Sequence, residues 1–220
     1  MNSLVLWGLI ISAFVGAPLS ALDVDAQKAL NKEFLLAAEQ NDPVKVTQFL
    51  DQGAEVNAKG SGGVSAMHFA AKNNSLEIIR LLNSRGANLS FPNSTKSTAL
   101  HYAVYHNSPE ATLLLLELGA NPNAATSNGS TPLHMAGQEG RTELVVPLIK
   151  AGAKIDSATT FGVTSLHRAA EKGHLETARA LLENGAGINL KAADGKTPLA
   201  LANTGNFTEL AAFLISHGAQ

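Results

Sequence analysis

A sequence period of 33 residues constrains the fold of this chain more than any other feature. Gly-Ala pairs recur at that spacing and begin at Gly53, Gly86, Gly119, Gly152, Gly185 and Gly218. An independent series with the same spacing comprises His68, His101, His134 and His167, with Ala200 at the next position. Two registers that share one period predict a stack of equivalent units rather than one large core. Only 5% of the residues are aromatic, which also favours a repetitive chain.

Each histidine lies in the same local sequence, which predicts the start of a helix. The segments are VSAMHFAA, STALHYAV, STPLHMAG, VTSLHRAA and, with alanine in place of histidine, KTPLALAN. The Thr or Ser residue can cap the helix, and Pro at the first helical position sacrifices no hydrogen bond. Asn or Gly follows six residues after each histidine position and tolerates the left-handed conformation that ends a helix. These residues are Asn41, Asn74, Asn107, Gly140, Gly173 and Asn206.

A second helix follows this turn in each unit. Asp42-Pro43, Ser75 and Ser108-Pro109 provide cap and first-turn residues. Leucine pairs such as Leu81-Leu82 and Leu114-Leu115 form an apolar stripe, and the Gly-Ala turn ends the helix. Because helices of about eight residues are marginal in isolation, the units must be stabilised by stacking.

These segments resemble the ankyrin repeat, whose motif reads T-P-L-H-x-A, and the match at residues 131–134 is complete. The resemblance covers residues 30–220 and implies an all-α solenoid of helix-turn-helix units with hairpin loops. Six repeats are predicted, at 30–60, 61–93, 94–126, 127–159, 160–192 and 193–220. The first lacks its first hairpin, and the polar Asn31-Lys32-Glu33 segment is typical of a capping repeat, as is Ala200 in the last.

Two residues depart from the repeat pattern. Pro147 lies inside a second helix, where it removes a backbone hydrogen bond at a cost of about 3 kcal/mol, so we expect a kink or an early break. Lys96 replaces the hairpin glycine of the other units. We therefore expect a different turn in the 89–96 hairpin, with Pro92 restricting it.

The N-terminal segment is typical of an export signal. No ionisable side chain precedes Asp23, and Leu4 to Val15 is a 12-residue apolar run, shorter than the roughly 20 residues that span a membrane. We predict a signal peptide at residues 1–21, with cleavage after Ala21 or as late as Ala26, and a short linker at 22–29. The alternative is an uncleaved membrane anchor, because no Lys or Arg precedes the apolar run.

The composition and motifs argue against several classes of chemistry. A formal charge of −2 gives no basic surplus for nucleic acid, and the absence of cysteine excludes disulfides and cysteine-based zinc sites. The histidines of the series would lie on successive helices about 8–10 Å apart, too far to share one metal ion. We predict that each instead bonds backbone in its own turn and in the adjacent hairpin. No catalytic or phosphate-binding motif is present, so we predict no enzyme activity, cofactor, metal or small-molecule substrate.

The resemblance implies that a protein partner binds on the concave face made by hairpin tips and first helices. Tyr102 and Tyr105 lie on this face between Phe69 and Met135 of the adjoining repeats, and aromatic residues are typical interface anchors. Alternatively, residues directly after the histidines are half-buried in the stack, and Phe161 packs on its neighbour. The predicted protein-binding residues are Phe69, Lys72, Tyr102, Tyr105, His106, Met135, Gln138, Glu139, Phe161, Arg168, Glu171 and Lys172.

The sequence favours an exported ankyrin-repeat adaptor or inhibitor in a bacterial periplasm, acting as a monomer on a protein partner. A secreted effector that acts on a host protein is the second interpretation, and an enzyme is the third. A membrane is involved only if the N-terminal apolar segment is not cleaved.

Overall fold

The computed structural model describes residues 21–220, with side chains from Val24 onward. Over that range the chain forms twelve α-helices and no strand. The helices come in six pairs, and the two members of each pair are joined by a tight turn. The first helices are α1 (Ala21–Glu39), α3 (Ala66–Lys72), α5 (Ala99–Tyr105), α7 (Pro132–Glu139), α9 (Ser165–Lys172) and α11 (Pro198–Thr204). The second helices are α2 (Pro43–Asp51), α4 (Leu76–Ser84), α6 (Pro109–Glu117), α8 (Thr142–Lys150), α10 (Leu175–Glu183) and α12 (Thr208–Ser216). The predicted all-α solenoid of about six repeats is confirmed.

The turns between paired helices have the predicted left-handed backbone. All six Asn or Gly residues there have a positive φ, from 54° at Asn74 to 76° at Gly173. The Gly-Ala turns that end the second helices do too, with φ between 79° and 96° at their glycines. The turns of all six units have the same conformation because Asn or Gly recurs at each left-handed position.

Residues at equivalent positions stack into one continuous core. Each column repeats every 33 residues, and its members are fully buried. One column runs through the first helices and comprises Ala70, Ala103, Ala136, Ala169 and Ala202. Another runs through the second helices and comprises Leu82, Leu115, Leu148, Leu181 and Leu214. Small residues allow the first helices to approach closely, and leucines fill the wider space between the second helices.

The closest helix contact involves Gly137. A Cβ at this residue would clash with the carbonyl oxygen of Ser165 on the next first helix. The equivalent residues in the units on either side are Val104 and Ala170, both fully buried. The helices α7 and α9 therefore approach each other in a way that requires glycine at this position.

The hairpin of residues 89–96 has the same turn as the other hairpins, so the expected different turn is wrong. The Lys96 amide donates to the Asn93 carbonyl at 3.0 Å, and the Gly129 amide makes the equivalent bond at 2.9 Å. Lys96 has a φ of 61°, in the left-handed region that Gly129 also occupies. The Asn93 Oδ1 atom accepts from the Ser97 amide at 2.9 Å. This bond helps hold the turn against a cost of about 1–2 kcal/mol for a left-handed residue with a Cβ.

The helix that contains Pro147 is not interrupted, so the expected early break is wrong. Helix α8 has nine residues, like the second helices of the other units, and ends in the same register. The Ala151 amide donates to the Pro147 carbonyl at 3.0 Å, so the last turn is intact. The missing amide would have bonded the Glu143 carbonyl, and Glu143 is exposed at the start of the helix. Stacking on both sides outweighs the loss of this one bond.

The N-terminal end differs from the prediction in one respect. Residues 22–29, predicted as a linker, belong to helix α1. The predicted signal peptide lies almost entirely outside the described residues and stays a prediction. Within the described residues, no helix combines the length and apolar character needed to cross a membrane.

Candidate functional site

The buried histidines bind the second, third, fourth and fifth units each to the next unit. The His68 Nδ1 atom accepts the Ser65 amide at 3.1 Å, and its Nε2 atom lies 3.0 Å from the Ser97 carbonyl in the next hairpin. His101, His134 and His167 make the same pair of contacts, with Nδ1 to their own cap residue and Nε2 to a carbonyl 29 residues ahead. The predicted backbone bonds of the histidine series are confirmed.

The four buried imidazoles are neutral because burial lowers their pKa values. A carbonyl oxygen can only accept, so Nε2 carries the proton and Nδ1 is free to accept the amide hydrogen. Burial lowers the pKa of His101 to about 4, and the bond to the Ser130 carbonyl only partly opposes this. Burial likewise lowers the pKa values of His68, His134 and His167. Their role is to hold the hairpins against the helices, which fixes the geometry of the surface beside them.

The exposed side chains of the first helices and hairpin tips form what we call the first-helix face. Three columns, each with a 33-residue period, cross it on helices α3, α5, α7 and α9. The first column, directly after the histidines, comprises Phe69, Tyr102, Met135 and Arg168. The second comprises Lys72, Tyr105, Gln138 and Glu171, and the third comprises Asn73, His106, Glu139 and Lys172. The structure therefore brings eleven of the twelve predicted binding residues together on adjoining helices.

The first column is half-buried, as the alternative interpretation expected. Phe69, Tyr102 and Met135 pack against the core of the stack. The Tyr102 ring lies edge-on to the His68 ring with a centroid distance of 4.9 Å, and its hydroxyl accepts from the Asn93 side chain at 3.1 Å. These side chains form a fixed apolar floor and are stabilised by contacts within the chain.

Tyr105 and His106 are more exposed to solvent than this apolar floor. Tyr105 is 46% exposed, and its ring lies edge-on to that of His106 with a centroid distance of 5.0 Å. His106 is also exposed and lies 5.9 Å from the Tyr102 ring. An exposed tyrosine held by a neighbouring ring loses little conformational freedom when a partner covers it.

The electrostatics around His106 are set by three successive units. The pKa of His106 is lowered by partial burial and by the positive charges of Lys72 and Arg141, while Glu139 acts in the opposite direction. The imidazole is therefore neutral near pH 7. The charges of two cations and one carboxylate thus act on the imidazole that lies beside the exposed Tyr105.

The remaining charged residues of the face are largely paired with neighbours. Arg168 Nη1 lies 2.9 Å from Glu171 Oε2, and the Gln138 amide donates to Glu139 at 3.0 Å. Lys172 is exposed at the end of α9. These polar groups lie on α7 and α9, to one side of the tyrosines of α5, and polar residues commonly border the apolar centre of an interface.

Phe161, the twelfth predicted residue, lies on a hairpin tip and is 64% exposed. Most of this residue is therefore accessible to a partner. The tips are joined by backbone bonds from Ser94 to Gly62, Ser127 to Thr95, Thr160 to Asn128 and Ala193 to Phe161, all between 2.8 and 3.0 Å. Phe161 thus projects from a row of hairpin tips that are hydrogen-bonded to one another.

Sequence analysis missed Arg141, which lies before helix α8 and donates from Nη2 to the Tyr105 carbonyl at 3.3 Å. The signal was present in the repeat alignment, because the equivalent residues are Asp42, Ser75, Ser108, His174 and Phe207. Arg141 is the only permanent cation among them.

The described side chains contain no group of three or more His, Cys, Asp or Glu residues arranged to hold a metal ion.

Comparison with known proteins identifies the repeats. A family model described as ankyrin repeats (3 copies) matches residues 34–126 and again 133–220. A search of curated proteins gave no match.

Proposed function

The chain belongs to the ankyrin-repeat family, and from this premise we propose that it is an exported, non-enzymatic adaptor or inhibitor whose first-helix face binds a protein partner. Ankyrin repeats are protein-binding modules. Function on such a scaffold depends on the residues that differ between units, because the recurring residues maintain the stack. On this face each of the three columns carries a different residue in every unit from the second to the fifth.

The observation that carries the proposal is the exposed Tyr105–His106 pair in the third of six units. Tyr105 is exposed although it is aromatic, and it lies above the half-buried Tyr102. Tyrosine is enriched among the interface residues that dominate binding energy, and these cluster near the centre of an interface. We therefore expect Tyr105→Ala to weaken binding by about 2 kcal/mol or more.

The test is affinity capture from the native host, with the full chain as bait. The Tyr105→Ala/His106→Ala variant is compared with the wild type and with Leu113→Ala. Leu113 is 49% exposed on α6 of the same unit and provides a matched control away from the first-helix face. Circular dichroism checks that all three proteins fold.

The proposal predicts a protein retained by the wild type and by Leu113→Ala but lost from the double variant. Equal retention by all three folded proteins would show that this face is not the binding surface. Turnover of a compound, abolished by one side-chain change, would instead support an enzyme.

Export rests on the apolar sequence from Leu4 to Val15 and is tested separately. Cell fractionation with N-terminal sequencing should find a chain that begins after Ala21 or Ala26, outside the cytoplasm. An intact N-terminus in the membrane fraction would indicate the uncleaved anchor. Recovery from host cells would favour the secreted effector.

A further inference from the structure

In three units the residue before the second helix bonds a backbone carbonyl 36 residues earlier in the chain, at the end of the preceding unit's first helix. Ser108 Oγ donates to the Lys72 carbonyl at 3.0 Å, and His174 Nε2 lies 3.0 Å from the Gln138 carbonyl. Each contact satisfies a carbonyl at the end of a first helix that has no partner within that helix. Arg141 makes the corresponding bond to Tyr105. A neutral side chain is sufficient for this contact, as Ser108 shows.

Arg141 has more hydrogen-bonding capacity than this contact uses. A guanidinium has five N–H donors, and one of them bonds the Tyr105 carbonyl. The Nε atom is buried without a hydrogen-bond partner, and within the described residues no carboxylate lies within ion-pair distance of this arginine. A charge that is partly withdrawn from water without a counter-ion is unfavourable. Its place at the N-terminus of α8 is also unfavourable for a cation.

Lys72 adds a second unpaired cation to the same region. It is exposed at the end of α3 and forms no ion pair among the described side chains. Its charge and that of Arg141 both act on His106, and the carboxylate of Glu139 opposes them there. The region beside Tyr105 therefore carries a local positive surplus on a chain whose formal net charge is −2.

We propose that this region of the first-helix face binds an acidic side chain, Asp or Glu, of the protein partner, with its carboxylate between Arg141 and Lys72 and an adjoining apolar group on Tyr105. The inference rests on the proposed function, since it names the chemistry of the partner at the same face. A carboxylate matches the planar fork of a guanidinium and forms charge-assisted bonds with it. It would also provide the counter-ion that the fold does not provide.

The structure offers a conservative variant for the test. Arg141→Ser introduces the residue found at the equivalent position 108, so the bond to the Tyr105 carbonyl can form while the charge is lost. Arg179→Gln is the matched control, because Arg179 lies on the second helix α10 and pairs with Glu176 at 3.4 Å.

The assay is a nuclear magnetic resonance titration of the full chain, labelled on histidine. The probes are two blocked peptides, Glu-Glu-Phe-Glu-Glu and its neutral counterpart Gln-Gln-Phe-Gln-Gln. The acidic peptide should shift the His106 ring signals and raise the pKa of His106, because its carboxylates offset the charges of Lys72 and Arg141. Arg141→Ser should weaken this binding about tenfold or more, and Arg179→Gln should leave it unchanged.

Three outcomes would overturn the inference: equal binding of the two peptides, wild-type binding by Arg141→Ser, or no shift at His106 up to about 10 mM acidic peptide. The capture experiment separates this failure from failure of the proposed function. If Arg141→Ser retains the captured partner while Tyr105→Ala/His106→Ala loses it, the face binds protein and the acidic contact is wrong.

Discussion

Acid should destabilise the stacked helices through their buried histidines. The pKa of His101 is about 4 in the folded chain, against an ordinary value of 6.5. The unfolded chain therefore takes up a proton first, so stability that is fully present above pH 6.5 is lost as the pH falls towards 4. At pH 5 this loss amounts to about 2 kcal/mol for His101 alone. The lowered pKa values of His68, His134 and His167 add losses of the same sign.

Urea unfolding at pH 7 and pH 5 measures this effect. His101→Ala should be less stable than the wild type at pH 7, because the Ser130 carbonyl loses its partner. It should nevertheless lose about 2 kcal/mol less between the two pH values. Ala103→Gly weakens the same helix by about 1 kcal/mol without removing a titratable group, so it should keep the wild-type pH dependence. An unchanged pH dependence in His101→Ala would refute the assignment of a neutral buried imidazole.

Three further substitutions test the packing through the midpoint of thermal unfolding. Lys96→Gly should raise it by relieving about 1 kcal/mol of left-handed strain, and a lower midpoint would mean that the lysine side chain stabilises the hairpin. Gly137→Ala should lower the free energy of unfolding by about 1–3 kcal/mol, because the added Cβ clashes with the Ser165 carbonyl. This cost exceeds the gain in helix propensity, which is about 1 kcal/mol. A gain in stability would show that the two helices can separate freely. Pro147→Leu should raise the midpoint by restoring a backbone bond, unless the proline ring is required by the packing, in which case the midpoint falls.

Periodicity made most of the fold predictable. The left-handed turns and the histidine contacts are local consequences of residues that recur every 33 positions, so one interpretation applied to all units. The expected different turn at Lys96 and the expected early break at Pro147 were wrong for a common reason. Each residue violates a local preference worth a few kcal/mol at most, and the bonds and stacking contributed by adjoining units outweigh that preference.

The sequence predicted which residues lie on the first-helix face, but it predicted less well how exposed each residue is and what it contacts. The period placed Tyr102 and Tyr105 on one face, but only the structure distinguishes the half-buried ring from the exposed one. Phe161 was open between two interpretations because the direction of a hairpin side chain depends on its neighbours. The role of Arg141 depends on a carbonyl 36 residues earlier in the chain, a contact that no local motif specifies.

The central claim is that the first-helix face binds a protein around Tyr105. The most direct test is calorimetric measurement of the affinity of the captured partner for the wild type, Tyr105→Ala and Leu113→Ala. The account predicts that Tyr105→Ala weakens binding about 30-fold or more, equivalent to about 2 kcal/mol, while Leu113→Ala binds like the wild type. Equal affinities for all three folded proteins would contradict it.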